Sequence, residues 1–150
     1  MAPGVVADMA TSNCEETVQS ARPFTPAPIA ELAYLGDAVF ELLVRDMLMK
    51  EGVPFRNMSR HAKDYVSAVA QGAMYHRIFD SLTEDEQTIM KRGRNLHNAS
   101  RAKSARVSEY RHATGLEVLF GWLHHREEFV RLKEVFALCV SQPKKQGDFT

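Results

Sequence analysis

The sequence has little cysteine, no glycine-rich loop and no long apolar run, and each shortage removes a class of protein. Only Cys14 and Cys139 are present among 150 residues, one near each end. Two thiols so far apart make neither a zinc cluster nor a disulfide framework, and reduced cysteines favour a cytoplasmic setting. No apolar stretch approaches the ~18 residues needed to cross a bilayer. Acids at Asp8, Glu15 and Glu16, with no basic segment leading into an apolar one, speak against a secretory or plastid leader. The eight glycines form no phosphate-binding loop, so mononucleotide and dinucleotide folds have no support. Net charge is absent too, because 19 Lys and Arg balance 19 Asp and Glu.

A whole-chain average does not describe a face. Between Lys91 and His112 stand seven basic residues, Lys91, Arg92, Arg94, Arg101, Lys103, Arg106 and Arg111, against one acid, Glu109. Such a stretch is either a solvated charge run or a surface for a polyanion. Arg60 and Lys63 form a weaker basic candidate.

What the chain does have is helical periodicity. An apolar fraction of 45% and a charged fraction of 25% suit one folded domain with one core. Residues 1–28, with Pro23, Pro26 and Pro28, are expected to form a flexible lead-in, and 141–150 a loose tail. A first helix is expected from Ile29 to Lys50, with Leu32, Leu35, Val39, Leu42, Leu43 and Met47 on its apolar face and Gly52 and Pro54 beyond its end. A second is expected from Met58 to Phe79, packing through Ala62, Val66, Val69 and Ala73. Thr83 and Glu86 have the form of a capping box, so a third helix starts there and stops at Gly93. Asn95 to Arg106 reads as a basic loop. A fourth helix follows from Ser108 to His125, with Leu116, Leu119, Phe120 and Leu123 inward, and a fifth from Glu127 to Val140. No segment alternates with period two, so the fold class is all-α, a compact helical bundle.

Two carboxylates interrupt the apolar helices. Asp37 lies at the margin of the first helix's stripe, with Glu41 one turn farther on the same side, and Gly36 within the stripe would let another backbone approach. Glu117 borders the fourth helix's stripe in the same way, with Gly121 one turn away. Gly115 and Gly121 weaken a helix by up to ~1 kcal/mol each, which close packing or a nearby ligand would justify. If these two helices pack together, Asp37 and Glu117 converge. Two hard oxygen ligands completed by water suit Mg²⁺. The alternative is that each carboxylate is solvated or paired with a nearby Arg or Lys.

The stretch Leu32-Ala33-Tyr34-Leu35-Gly36-Asp37-Ala38-Val39-Phe40-Glu41 resembles the first acidic motif of ribonuclease III catalytic domains. Further matches follow in order: His61 with Val66-Ser67-Ala68 and Gln71, then Arg92-Gly93-Arg94-Asn95, then Tyr110-Arg111-His112-Ala113-Thr114-Gly115-Leu116-Glu117. The similarity runs from about Ile29 to Cys139 and is closest to the Mini-ribonuclease III branch, which has the catalytic domain without a double-stranded-RNA-binding domain. The resemblance implies a catalytic domain at 29–140, with Asp37 and Glu117 as the metal-binding and catalytic carboxylates and Mg²⁺, or Mn²⁺ in its place, as cofactor. It implies a homodimer that cuts both strands of double-stranded RNA, leaving a 5′-phosphate and a short 3′ overhang. The substrate implied is a paired stem in precursor large-subunit (23S) ribosomal RNA, with room for a ribosomal-protein helper.

The chain departs from the larger ribonuclease III pattern at Ala33 and Thr114, where those enzymes carry further acids. Mini-ribonuclease III members share that reduced acidic set. The same two positions keep open a catalytically inactive duplex-RNA-binding or ribosome-associated protein on this fold. Glu41 either orients a water or is structural. Arg111 either meets a substrate phosphate or makes an internal salt bridge. The remaining basic residues, Lys91 to Arg106, suit an RNA backbone, because duplex RNA is recognised mainly by shape, phosphates and 2′-hydroxyls. Phe40, Phe120 and Trp122 are expected to pack or to serve a dimer contact rather than stack on bases.

Overall fold

A computed structural model describes residues 27–96 and 105–141. The expected lead-in and tail therefore lie almost wholly outside the described residues, as do Arg101 and Lys103. The described residues form six α-helices and one 3₁₀ turn, with no strand among them: α1 (Ile29–Lys50), α2 (Phe55–Val66), α3 (Ala68–Ile78), the turn Phe79–Ser81, α4 (Glu84–Arg94), α5 (Ala105–His125) and α6 (Phe129–Val140). None of these helices is long and apolar enough to cross a membrane.

The helix ends follow from local chemistry. Gly52, at φ 71°, closes α1: its N–H donates to the Met49 carbonyl and that of Val53 to Leu48, the paired bonds of a Schellman stop. The capping box at Thr83 is present, with Thr83 Oγ1 accepting from the Glu86 N–H at 3.3 Å and Glu86 Oε2 from the Thr83 N–H at 3.1 Å. Glu86 is buried and also meets the Arg131 guanidinium at 2.7 and 2.9 Å, which ties α6 to the start of α4 and holds the Glu86 carboxyl below its usual range.

Several expectations need correction. The single second helix is two, because Ser67 is extended (ψ 151°) and its hydroxyl accepts from the Ala70 N–H, capping α3. The break turns Val69 and Ala73 outward, so neither packs as expected. Gly93 does not stop α4 but lies inside it, buried against the Val118 side chain. Arg106 stands on the first turn of α5 and not in a loop, and α6 begins at Phe129 because Glu127 takes a left-handed φ of 58°.

α5 is the hub. It packs chiefly against α1, then α3 and α4, and its Leu116, Val118, Leu119, Phe120 and Leu123 are fully buried. On α1 the buried line is Leu32, Gly36, Val39, Phe40, Val44 and Leu48, rotated from the expected stripe so that Leu42 faces outward. Phe40 and Phe120 meet edge to face at 5.1 Å, and both are core residues.

Gly36 and Gly121 make the α1–α5 contact possible. A Cβ on Gly36 would land on the Glu117 carbonyl and lie 2.8 Å from the Gly121 nitrogen. A Cβ on Gly121 would strike the Leu32 carbonyl and lie 3.0 Å from the Gly36 nitrogen. Both clashes are with backbone, which cannot rotate away. Gly36→Ala and Gly121→Ala are each expected to lower unfolding free energy in urea by about 3 kcal/mol or more. A loss under about 1 kcal/mol would mean that the helices are not this close.

Candidate active site

The carboxylate pair follows directly from that contact. Asp37 is the residue after Gly36, and Glu117 is the residue whose backbone Gly36 touches. The two side chains are therefore brought to the same rim of the α1–α5 seam, Asp37 exposed and Glu117 half-buried. Burial, and secondarily the Asp37 charge, push the Glu117 carboxyl up to about 7. A carboxylate held in this state is poorly solvated and faces a like charge. A divalent cation between the two groups would relieve both penalties.

The donor set fits Mg²⁺ on chemical grounds. Two carboxylates from separate helices give hard oxygen ligands, and Mg²⁺ commonly keeps several waters beside one or two carboxylates. Among the described residues no group of three or more His, Cys, Asp and Glu is arranged to hold a metal, so any ion bound between these two carboxylates would take its remaining ligands from water or substrate. The Thr114 hydroxyl donates to the Tyr110 carbonyl at 2.9 Å on its own helix.

The other sequence candidates separate. Glu41 is engaged with Arg45 at 2.6 Å across one helical turn, an exposed pair of the kind that contributes little to stability. Arg111 makes no salt bridge to a described residue; its Nε donates to the Arg94 carbonyl at 3.2 Å and closes the end of α4. Lys91 is exposed and stands over the Phe79 ring at 5.2 Å, and Arg92 and Arg106 are exposed. Arg94 is half-buried beside Arg111 in a cleft that also includes Asn95, Ser108 and His112. Of these lining residues, only Arg94 and Arg111 were singled out in the sequence as candidates to contact RNA. A Tyr75–His112–His76 ring cluster behind the cleft, with His112 4.7 Å from Tyr75 and 4.4 Å from His76, had no periodic signal to reveal it. Cys139 is buried and its thiol is pushed up to about 12, which makes it inert.

Glu117 sets a pH signature. Its folded pKa is raised above the ordinary carboxylate value of 4.5, so its contribution to stability is intact below that value and is lost as pH rises through about 7. Glu117→Gln, which cannot ionise, is expected to raise the melting temperature at pH 8.5 without divalent cations and leave it little changed at pH 4. Equal effects at both pH values would contradict the buried, repelled carboxylate.

Comparison with known proteins agrees with the fold. The ribonuclease III domain family matches residues 30–127. The chain is 44% identical over 116 residues to Mini-ribonuclease 3 of Symbiobacterium thermophilum, covering 77% of this chain and 88% of the relative. It is 42% identical over 120 residues to Mini-ribonuclease 3 of Enterococcus faecalis, covering 78% and 89%. A crystal structure of a Fusobacterium nucleatum protein superposes with a TM-score of 0.65 at 29% identity, covering 77% of this chain and 93% of that one. The chain belongs to the ribonuclease III family, in its Mini-ribonuclease III branch.

Proposed function

We propose that this protein is a Mg²⁺-dependent endonuclease that cuts double-stranded RNA as a cytoplasmic homodimer, with a paired stem of precursor 23S ribosomal RNA as its substrate. The observation that carries the reading is the meeting of Asp37 and Glu117 at the Gly36–Gly121 contact. Relatives that bear the name Mini-ribonuclease 3 support it.

Bound Mg²⁺, for which Mn²⁺ can substitute, supplies electrostatic stabilisation of a reacting phosphate and activation of water. The protein's part is positioning. Glu117 is held on the most buried helix of the bundle, and Asp37 is fixed against it by a contact that tolerates no side chain. Their orientation is set before substrate arrives, so little reorganisation is left to the reaction. Lys91, Arg92 and Arg106, with Arg101 and Lys103 of the same basic stretch of sequence, are the residues proposed to meet the polyanion. The Glu41–Arg45 pair supports a structural role for Glu41 rather than one in orienting water.

The dimer reading rests on α1. Tyr34, Leu42 and Met49 share one side of that helix and are 86%, 66% and 68% exposed, and Phe55 at the start of α2 is 91% exposed. Tyr34 stands one helical turn from Asp37, so pairing that includes Tyr34 would bring two carboxylate sites nearer each other.

Asp37→Asn and Glu117→Gln are expected to reduce cleavage of a labelled duplex more than about a hundredfold at matched Mg²⁺ while duplex retention in a gel survives. Cleavage by both variants at the rate of the intact chain would defeat the assignment. Duplex retention by the intact chain without scission in Mg²⁺ or Mn²⁺ would favour an inactive RNA-binding protein. Leu42→Glu with Met49→Glu is expected to shift the sedimentation coefficient from dimer to monomer. An intact chain that stays monomeric across a concentration series rejects the dimer.

A further inference from the structure

A second feature lies on α5, apart from the carboxylates. Arg94, Asn95, Ser108, Arg111 and His112 line an open cleft of about 290 Å³ between the end of α4 and the first turns of α5. Among the described residues its lining holds two guanidinium groups, a hydroxyl, a carboxamide and an imidazole, and no acid. Among the described residues, neither Arg94 nor Arg111 has a carboxylate within salt-bridge distance, although Arg45 and Arg126 each have one and Arg131 has two.

The two guanidiniums are anchored without being neutralised. Arg111 Nε donates to the Arg94 carbonyl at 3.2 Å, and Arg94 Nε donates to Asn95 Oδ1 at 3.3 Å. Arg94 also neighbours the buried Tyr75 hydroxyl. These bonds use the inner nitrogens and leave terminal N–H donors of a planar fork, the arrangement that suits a tetrahedral oxyanion. His112 Nδ1 is 2.6 Å from the Ser108 carbonyl, which only accepts, so that nitrogen carries a proton. Burial holds the ring below its ordinary pKa, helped by His76, Arg94 and Arg111 and opposed by the Ser108 bond.

We propose that Arg94 and Arg111 form a phosphate subsite, separate from the carboxylate pair, that takes an internal phosphodiester of the duplex substrate. Arg111 and Glu117 stand on one helix, six residues apart, so the subsite is offset from the carboxylates by roughly 9 Å along the α5 axis. Because α5 is the buried hub, that offset is rigid. The subsite grips one point of the backbone and sets which phosphodiester lies beside Asp37 and Glu117. The identity of the polyanion rests on the function proposed above; the anion chemistry of the cleft does not.

The test measures binding without cleavage, in a Glu117→Gln background, as duplex affinity against salt concentration. Arg94→Gln, Arg111→Gln and the control Lys133→Gln, an exposed residue of α6, are compared. Each cleft variant is expected to lower the slope of log affinity against log salt by about one and to weaken binding equally for unrelated sequences. Lys133→Gln should do neither. Arg94→Gln keeps the Arg94 carbonyl that Arg111 holds, so it reads the subsite even if Arg111→Gln disturbs the fold. Slopes for both cleft variants equal to that of the control overturn the proposal. Loss of affinity only for duplexes with a 5′-phosphate, and not for those with a 5′-hydroxyl, overturns the internal phosphodiester in favour of a terminal phosphate. Inorganic phosphate supplies an independent arm: it should shift the Arg94 and Arg111 Nε–Hε resonances saturably, and absence of such shifts overturns the anion site. If the protein binds no duplex, the proposed function fails and the phosphate arm alone decides the cleft.

Discussion

The site depends on one place where two helices touch through their backbones. Gly36 on α1 and Gly121 on α5 leave no room for a Cβ on either side, so the helix axes approach more closely than packed side chains would allow. Residues at the margin of such a seam are carried toward one another whatever their chemistry. Here the margin carries two acids, and their mutual repulsion is part of the folded state. The contact also fixes the register, because Gly36 meets the Glu117 carbonyl and not that of the residue one turn away.

The rest of the bundle holds α5 in place for this purpose. A Cβ on Gly115 would lie 2.7 Å from the Met90 carbonyl oxygen and 2.9 Å from the Tyr75 ring, so α3 and α4 pack closely on α5 as well. The Glu86–Arg131 pair fastens α6 to the start of α4, and its carboxylate is buried with every strong partner supplied. A metal held by the proposed pair of carboxylates would need such support, since the protein's contribution to the chemistry would be the accuracy of placement. The arginine cleft at the N-terminal turns of the same helix shares that frame.

Much of this was legible in the sequence, for identifiable reasons. Leu116, Leu119, Phe120 and Leu123 recur at helical spacing, and all four are buried. Thr83 and Glu86 announce a helix start because the capping box is a local exchange of hydrogen bonds. Gly36, inside its apolar stripe, marks a close approach, and Gly115 and Gly121 point to close packing or a nearby ligand. The convergence of Asp37 and Glu117 was legible only on the condition that their two helices pack together. What was hidden depended on tertiary choice. Ser67 breaks a periodic stretch by capping the next helix, and its own type does not distinguish a cap from a tolerated interior serine. Leu42 fits the helical period but faces outward, because the Gly36 contact and not the average apolar direction sets the rotation of α1. The Arg94–Arg111 cleft joins residues 17 apart through a backbone carbonyl, which no pattern of side chains encodes.

The central claim is that the fold holds Asp37 and Glu117 close enough to repel. The most direct measurement is a carbon-13 NMR titration of the Glu117 side-chain carboxyl, without divalent cations, in the intact chain and in Asp37→Asn. The account predicts a midpoint near 7 in the intact chain, as burial and the Asp37 charge require. In Asp37→Asn it predicts a lower midpoint, still above 4.5 because burial remains. A midpoint at the ordinary carboxylate value in both proteins would contradict it.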